Sequence, residues 1–183
     1  KGNILNLVPD LYEAWHAGVS SWKNYKSLNK YSIGIEIHNP GHEHGYKKFS
    51  NNQIKCLLRL LNFLIKKYKI NKKNILGHSD VAPLRKLDPG ENFPWKKLFK
   101  NKIGIWHNIK LKDLKKNREK KIEISLARFM FYLNKIGYSV KHSNSKELIK
   151  IIKVFQMRFR PDLIDGKLDL ECYLIAKSLY KLN

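Results

Sequence analysis

Cysteine is nearly absent from this chain. Cys56 and Cys172 are the only two among 183 residues, and each sits among apolar neighbours at helical spacing, which reads as a buried free thiol rather than a disulfide framework. No run of about 18 apolar residues is present, so no membrane-spanning helix is expected. The sequence opens on Lys1 rather than methionine, and no basic, apolar, small-residue leader follows, so an upstream segment is expected to have been removed or left out. Acidic side chains are scarce: 15 Asp and Glu stand against 37 Lys and Arg, for a net charge of +22. Clustered cations of this kind release counterions from phosphate backbones. Lys, Asn and Ile are all abundant, however, as biased nucleotide composition produces, and no nucleic-acid-binding motif accompanies the charge; a nucleic-acid partner is not expected. Internal repeats and low-complexity tracts are also lacking.

What is present belongs to a folded protein. A hydrophobic fraction of 43% and an aromatic fraction of 11% suffice for a core. Residues 32–37, Ser-Ile-Gly-Ile-Glu-Ile, alternate strictly, which predicts a strand with Ile33, Ile35 and Ile37 on one face and Gly34 and Glu36 on the other. A loop with Pro40, Gly41 and Gly45 follows. Ser50 and Gln53 then form a capping-box signature for a long helix carrying Ile54, Leu57, Leu58, Leu61, Leu64 and Tyr68 on one face. A second strand is expected at Asn74 to Leu76, and the order strand, helix, strand indicates an α/β layer. From Gly77 to Trp95 the chain reads as a loop. Seven of the twelve residues from Lys110 to Lys121 are Lys or Arg, marking a boundary rather than core. Beyond it, Leu126 to Ile136 reads as an amphipathic helix ended by Gly137, Ser145 as the start of a second, and Asp169 as the cap of a third.

The segment Gly77-His78-Ser79-Asp80-Val81-Ala82-Pro83-Leu84-Arg85-Lys86-Leu87-Asp88-Pro89-Gly90 places an imidazole, a lysine and carboxylates in one loop after a strand. Zinc accepts imidazole nitrogen and carboxylate oxygen, and a ten-residue separation lets one loop bring both to a single ion. The same residues serve equally as a turn cap (Asp80) and as solvated cations (Arg85, Lys86). His38, His42 and His44 crowd the loop after Glu36, where a polar loop explains them.

This string, continued by Phe93-Pro94-Trp95, together with Trp15-His16-Ala17-Gly18 and Ser32-Ile33-Gly34-Ile35-Glu36, resembles the N-acetylmuramoyl-L-alanine amidases of the amidase-2 family, which share a fold with the peptidoglycan recognition proteins. The look is closest to two-domain, outer-membrane-anchored amidases of Gram-negative bacteria. The resemblance implies that His78 and Asp88 are ligands of a Zn2+ cofactor, that Glu36 is the catalytic acid/base, that Lys86 steadies the developing oxyanion, and that Trp15 and His16 line the substrate cleft. It implies zinc-dependent hydrolysis of the amide between N-acetylmuramic acid and L-alanine in peptidoglycan or muropeptides. A location in the bacterial cell envelope is implied too, whose anionic wall suits the charge, with a signal or lipid anchor upstream.

The fold so implied is α/β: a mixed central sheet flanked by helices in residues 1–108, a basic linker at 109–121, and a small three-helix bundle at 122–183 similar to peptidoglycan-binding modules. The family's third zinc ligand is a histidine on an early strand ahead of the Trp-His-Ala-Gly motif, and this sequence starts after the place where it is expected. His16 is the nearest substitute by position. The alternative implied by two ligands in place of three is a non-catalytic peptidoglycan-binding protein.

Overall fold

The longest helix, α1 (Asn51–Tyr68), forms where its cap demands it. Ser50 Oγ accepts the Gln53 N–H at 3.2 Å and Gln53 Oε1 accepts the Ser50 N–H at 2.9 Å, so two donors that a helix start leaves orphaned are satisfied reciprocally. Its apolar stripe buries Ile54, Leu57, Leu61 and Leu64, each contributing about 1.5–3 kcal/mol. This is a computed structural model, and it describes residues 2–120, 122–140 and 144–182.

Strand structure is sparse. The one sheet among the described residues is a hairpin of β1 (Ser21–Trp22) and β2 (Tyr25–Lys26), antiparallel, with Ser21 opposite Lys26 and Trp22 opposite Tyr25. The expected mixed central sheet is not seen among these residues. Residues 32–37 keep part of their alternation, with Ile35 and Ile37 packed on the core and Gly34 and Glu36 exposed, although Ile33 stays largely in solvent. A strand needs a neighbour to take its backbone N–H and C=O groups. No described segment runs beside 32–37 in that way, and Asn74 of the second expected strand closes a short 3-10 turn, Lys72–Asn74.

Two short helices follow, α2 (His78–Val81) and α3 (Trp95–Lys100). The segment expected as a linker is partly helical: α4 (Leu111–Arg118) buries Leu114 and packs against the last helix. Lys121, at the linker's end, lies outside the described residues. α5 (Leu126–Ile136) buries Phe129, Leu133 and Ile136. α6 (Ser145–Phe159) is capped by Asn144, one residue before the expected start, through a reciprocal pair with Glu147. Asp169 Oδ1 accepts the Cys172 N–H at 2.8 Å and so caps α7 (Leu170–Leu182). Arg160, buried at the end of α6, is bonded to Asp165, Asp169 and Glu171, and Glu171 also receives Arg118 at 2.5 Å.

One cluster of buried residues joins the two halves, from Trp22, Ile54 and Trp95 to Phe155 and Leu179. Gly137 is required at this seam. Its φ is +140°, and a Cβ there would lie 2.4 Å from the Trp22 indole, which stacks edge-on against Tyr138 at 5.1 Å.

Candidate active site

Helix α2 begins at His78, and its first turn sets the imidazole. His78 Nδ1 stands 3.2 Å from Asp88 Oδ2, while Nε2 stands 3.1 Å from the Ala17 carbonyl and 3.3 Å from Arg85 Nη2. His78 is mostly covered and Asp88 mostly open to solvent. Two arrangements of one ring proton satisfy these contacts. A proton on Nδ1 is donated to Asp88. A proton on Nε2 is donated to Ala17, and the Nδ1 lone pair then faces a carboxylate, an approach that only a cation between them makes favourable.

That second arrangement is compatible with ligation of a metal ion. Two ligands about 2.0–2.1 Å from a tetrahedral zinc sit roughly 3.3 Å from each other. A ligating histidine characteristically donates its other N–H to a carbonyl or carboxylate, the place Ala17 O fills. The donor pair therefore fits zinc in chemistry and in spacing. Among the described residues no group of three or more His, Cys, Asp or Glu side chains converges.

Asp88 is held from both sides. Its carbonyl accepts the Ser79 N–H at 2.8 Å, tying the carboxylate's backbone to the helix that carries His78. Burial alone would raise the Asp88 carboxyl, but the hydrogen bond and charge of His78, helped by Lys86, outweigh it and hold the group below its usual range. Lys86 is thus electrostatically close to the pair. After Asp88, Tyr46 secures the loop: its hydroxyl donates to Pro89 O at 2.5 Å and accepts the Asn92 N–H at 3.0 Å, and burial pushes its pKa up to about 12. His42 stacks on Tyr46 and meets Glu91 at 3.0 Å, so this histidine serves loop packing.

The Trp15-His16-Ala17 segment connects this pair to Glu36. His16 Nδ1 reaches Ala14 O and Nε2 reaches Ser32 Oγ, each at 2.8 Å, so both ring nitrogens are engaged away from His78. The imidazole lies directly on Gly34, where a Cβ would be 2.5 Å from His16 Cγ. Gly34 and Glu36 are both exposed, and Glu36 lies two residues beyond the glycine that His16 covers. Glu36 makes no hydrogen bond or ion pair among the described residues. Trp15 is 92% exposed.

Two residues central to this geometry carry no clear signal in the sequence. Arg85, legible only as a solvated cation, donates to Ala17 O and, at 3.1 Å, to Val19 O, stitching the loop over Gly18 to the loop after α2. Tyr46 has no motif at all. Asp80 does cap its own turn, accepting the Gly77 N–H at 2.7 Å, as a turn reading allows.

The chain is similar to known proteins along most of its length. Residues 1–91 match the Amidase_2 family, described as N-acetylmuramoyl-L-alanine amidase. The chain is 37% identical over 186 residues to N-acetylmuramoyl-L-alanine amidase AmiD of Escherichia coli, covering 98% of this chain and 67% of that protein. It is 38% identical over 97 residues to 1,6-anhydro-N-acetylmuramyl-L-alanine amidase AmpD of Haemophilus influenzae, covering 52% of this chain and 50% of that one. Among solved structures, E. coli AmiD in complex with the substrate anhydro-N-acetylmuramic acid-L-Ala-D-gamma-Glu-L-Lys superposes with a TM-score of 0.86 at 35% identity, covering 98% of this chain and 73% of that one. AmpDH3 of Pseudomonas aeruginosa in complex with anhydromuramic pentapeptide gives 0.86 at 33% identity, over 97% and 72%.

Proposed function

Because this chain belongs to the N-acetylmuramoyl-L-alanine amidase family, we propose that it hydrolyses the amide between N-acetylmuramic acid and L-alanine of peptidoglycan fragments with zinc held by His78 and Asp88. The observation that carries the zinc assignment is the imidazole fixed at both nitrogens, one toward Ala17 O and one toward the Asp88 carboxylate. The chemistry zinc supplies in such a site is Lewis acidity, which brings water's pKa from 15.7 to about 7 and polarises a carbonyl.

The remaining steps fall to the chain's own groups. Glu36 takes the proton of the attacking water and returns it to the nitrogen of the departing alanine, a role that an unpaired carboxylate can fill. Lys86, whose positive charge helps to lower the Asp88 pKa, steadies the carbonyl oxygen as it gains negative charge, an effect worth about 3–4 kcal/mol per donor in measured cases. Trp15 offers a bare indole to the sugar or stem, and His16 forms the floor between it and Glu36. Arg85 and Ala17 keep that floor in register with His78.

In this reading residues 1–108 carry catalysis, 109–121 connect, and the helices of 122–183 form a peptidoglycan-binding bundle; residues 32–37 and 74–76 belong to the sheet of the family fold. Residence in the bacterial cell envelope is part of the same reading. No helix among the described residues is long and apolar enough to cross a membrane. A second reading, peptidoglycan binding without catalysis, is favoured by one observation: the described residues bring together two metal donors, where a catalytic zinc has three from protein.

The deciding experiment is release of stem peptide from purified anhydro-muropeptide by this chain and by the longest product of its gene, each with zinc and with a chelator. Zinc-dependent release by either is the expected result. Wall binding without release by both would overturn catalysis and leave the second reading.

A further inference from the structure

The most heavily bonded buried group near the site is not one of the proposed ligands but Asp80, two residues after His78. Its side chain is 1% exposed and both oxygens are used. Oδ1 accepts the Tyr138 hydroxyl at 2.5 Å. Oδ2 accepts the Gly77 N–H at 2.7 Å and the Arg158 Nη1. Arg158, 3% exposed, uses its other terminal nitrogen on the Ile75 carbonyl at 3.2 Å, and its guanidinium carbon lies over the Trp95 ring, 3.9 Å from the centroid. One guanidinium thus brackets residues 75 to 80, the stretch that delivers His78. The same turn holds Asp88, through the Ser79 N–H. Tyr138 and Arg158 come from the far half of the sequence, Tyr138 just after the Gly137 cap of α5 and Arg158 from the last turn of α6.

We propose that Tyr138 and Arg158 are positioning residues for the His78–Asp88 pair, so that the C-terminal helices brace the metal site from behind in addition to any binding they do themselves. The inference rests on the zinc reading above. A carboxylate fixed at both oxygens can rotate no further, and its hold on the Gly77 N–H sets the first turn of α2, and with it the direction of the His78 ring. Groups hydrogen-bonded directly to a metal ligand change metal affinity or activity by about 10- to 100-fold when altered, and Tyr138 and Arg158, acting through Asp80 and the Gly77 N–H, belong at the lower end of that range. Tyr138 is suited to the task because burial, with Asp80 beside it, drives its phenol pKa well upward and keeps the donor proton in place.

The test is made in the full-length protein with Tyr138→Phe and Arg158→Lys. Tyr138→Phe keeps the ring packed on Trp22 and Phe155 and removes only the hydroxyl. Folding is checked by circular dichroism. Zinc affinity, by competition with a chromophoric chelator, is expected to weaken about 10-fold or more in each variant. The kcat on anhydro-muropeptide should fall with it while KM holds. A lowered melting temperature with zinc affinity and kcat both unchanged would overturn the proposal, since a purely structural bond predicts that result. Should either variant not fold, the unaltered protein gives the reciprocal readout: if the clamp raises zinc affinity, zinc must tighten the clamp. Zinc is then expected to slow hydrogen exchange at the Gly77 amide and to shift the Arg158 Nε–H resonance, and no change in either would overturn the proposal. If the unaltered protein binds no zinc, this proposal and the zinc reading fall together; zinc binding that the variants leave intact overturns this proposal alone.

Discussion

At the scale of single residues, the contrast between His78 and His16 shows how hydrogen bonding decides what an imidazole is free to do. His78 has one nitrogen committed to a backbone carbonyl and the other turned toward a carboxylate. His16 has both nitrogens committed, to Ala14 and Ser32, and so serves as a floor rather than a substitute ligand. Glu36 is exposed and has no hydrogen-bond or ion-pair partner among the described residues, which makes it the group whose removal is most informative. Glu36→Gln keeps the shape and removes the base. Its kcat on muropeptide should drop about 10²- to 10⁴-fold, with zinc affinity and melting temperature unchanged; an equal loss of zinc affinity would mean that Glu36 acts through the metal site instead.

At the scale of elements, the site is a set of loops pinned to short helices. The loop after Asp88 is held by one phenol, since Tyr46 both donates to Pro89 and accepts from Asn92. Gly90 answers with a φ of +79° and no Cβ, because a Cβ there would stand 2.5 Å from the Tyr46 hydroxyl. Tyr46→Phe leaves a carbonyl and an amide without their partner. Urea denaturation should show a loss of about 1–3 kcal/mol, and activity should fall further than Lys48→Ala, a change at an exposed lysine nearby, lowers it.

Helices with side-chain caps were legible in the sequence because their signals are local: Ser50 with Gln53, and Asp169 before α7, depend on residues three positions apart. The α6 start at Ser145 was legible as well, although the reciprocal contact of Asn144 with Glu147 that caps it was not picked out. The sheet was less legible, since alternation at 32–37 reports which side chains face the core and says nothing about a partner strand. His78 and Asp88 were readable as a pair because one loop carries both. Arg85, Tyr46, Tyr138 and Arg158 were not, because each acts on backbone or carboxylate groups distant in sequence.

At the scale of the molecule, the two halves share one core, and the seam between them contains a group that senses pH. His107 is buried beside Trp106, which packs on Phe159 of α6. Burial, aided by the nearby Lys96 charge, lowers its pKa from 6.5 to about 4. The unfolded chain therefore takes up a proton between pH 6.5 and 4 that the folded chain refuses. The stability from a neutral His107 is complete above pH 6.5 and is lost as pH falls toward 4, by about 3 kcal/mol in total. Thermal melts across that range should show the decline, and His107→Phe should flatten it; an unchanged slope would assign the acid sensitivity to other groups.

The near-complete exposure of Trp15 has an optical consequence. The other three indoles, Trp22, Trp95 and Trp106, are buried in the shared core. Emission from the long-wavelength edge of the protein's fluorescence therefore originates almost entirely at Trp15, and a neutral collisional quencher such as acrylamide extinguishes that component first. Under the proposed role of Trp15 a bound sugar or peptide shields the ring, so binding is expected to be readable in the unlabelled protein as protection of a single indole from the quencher.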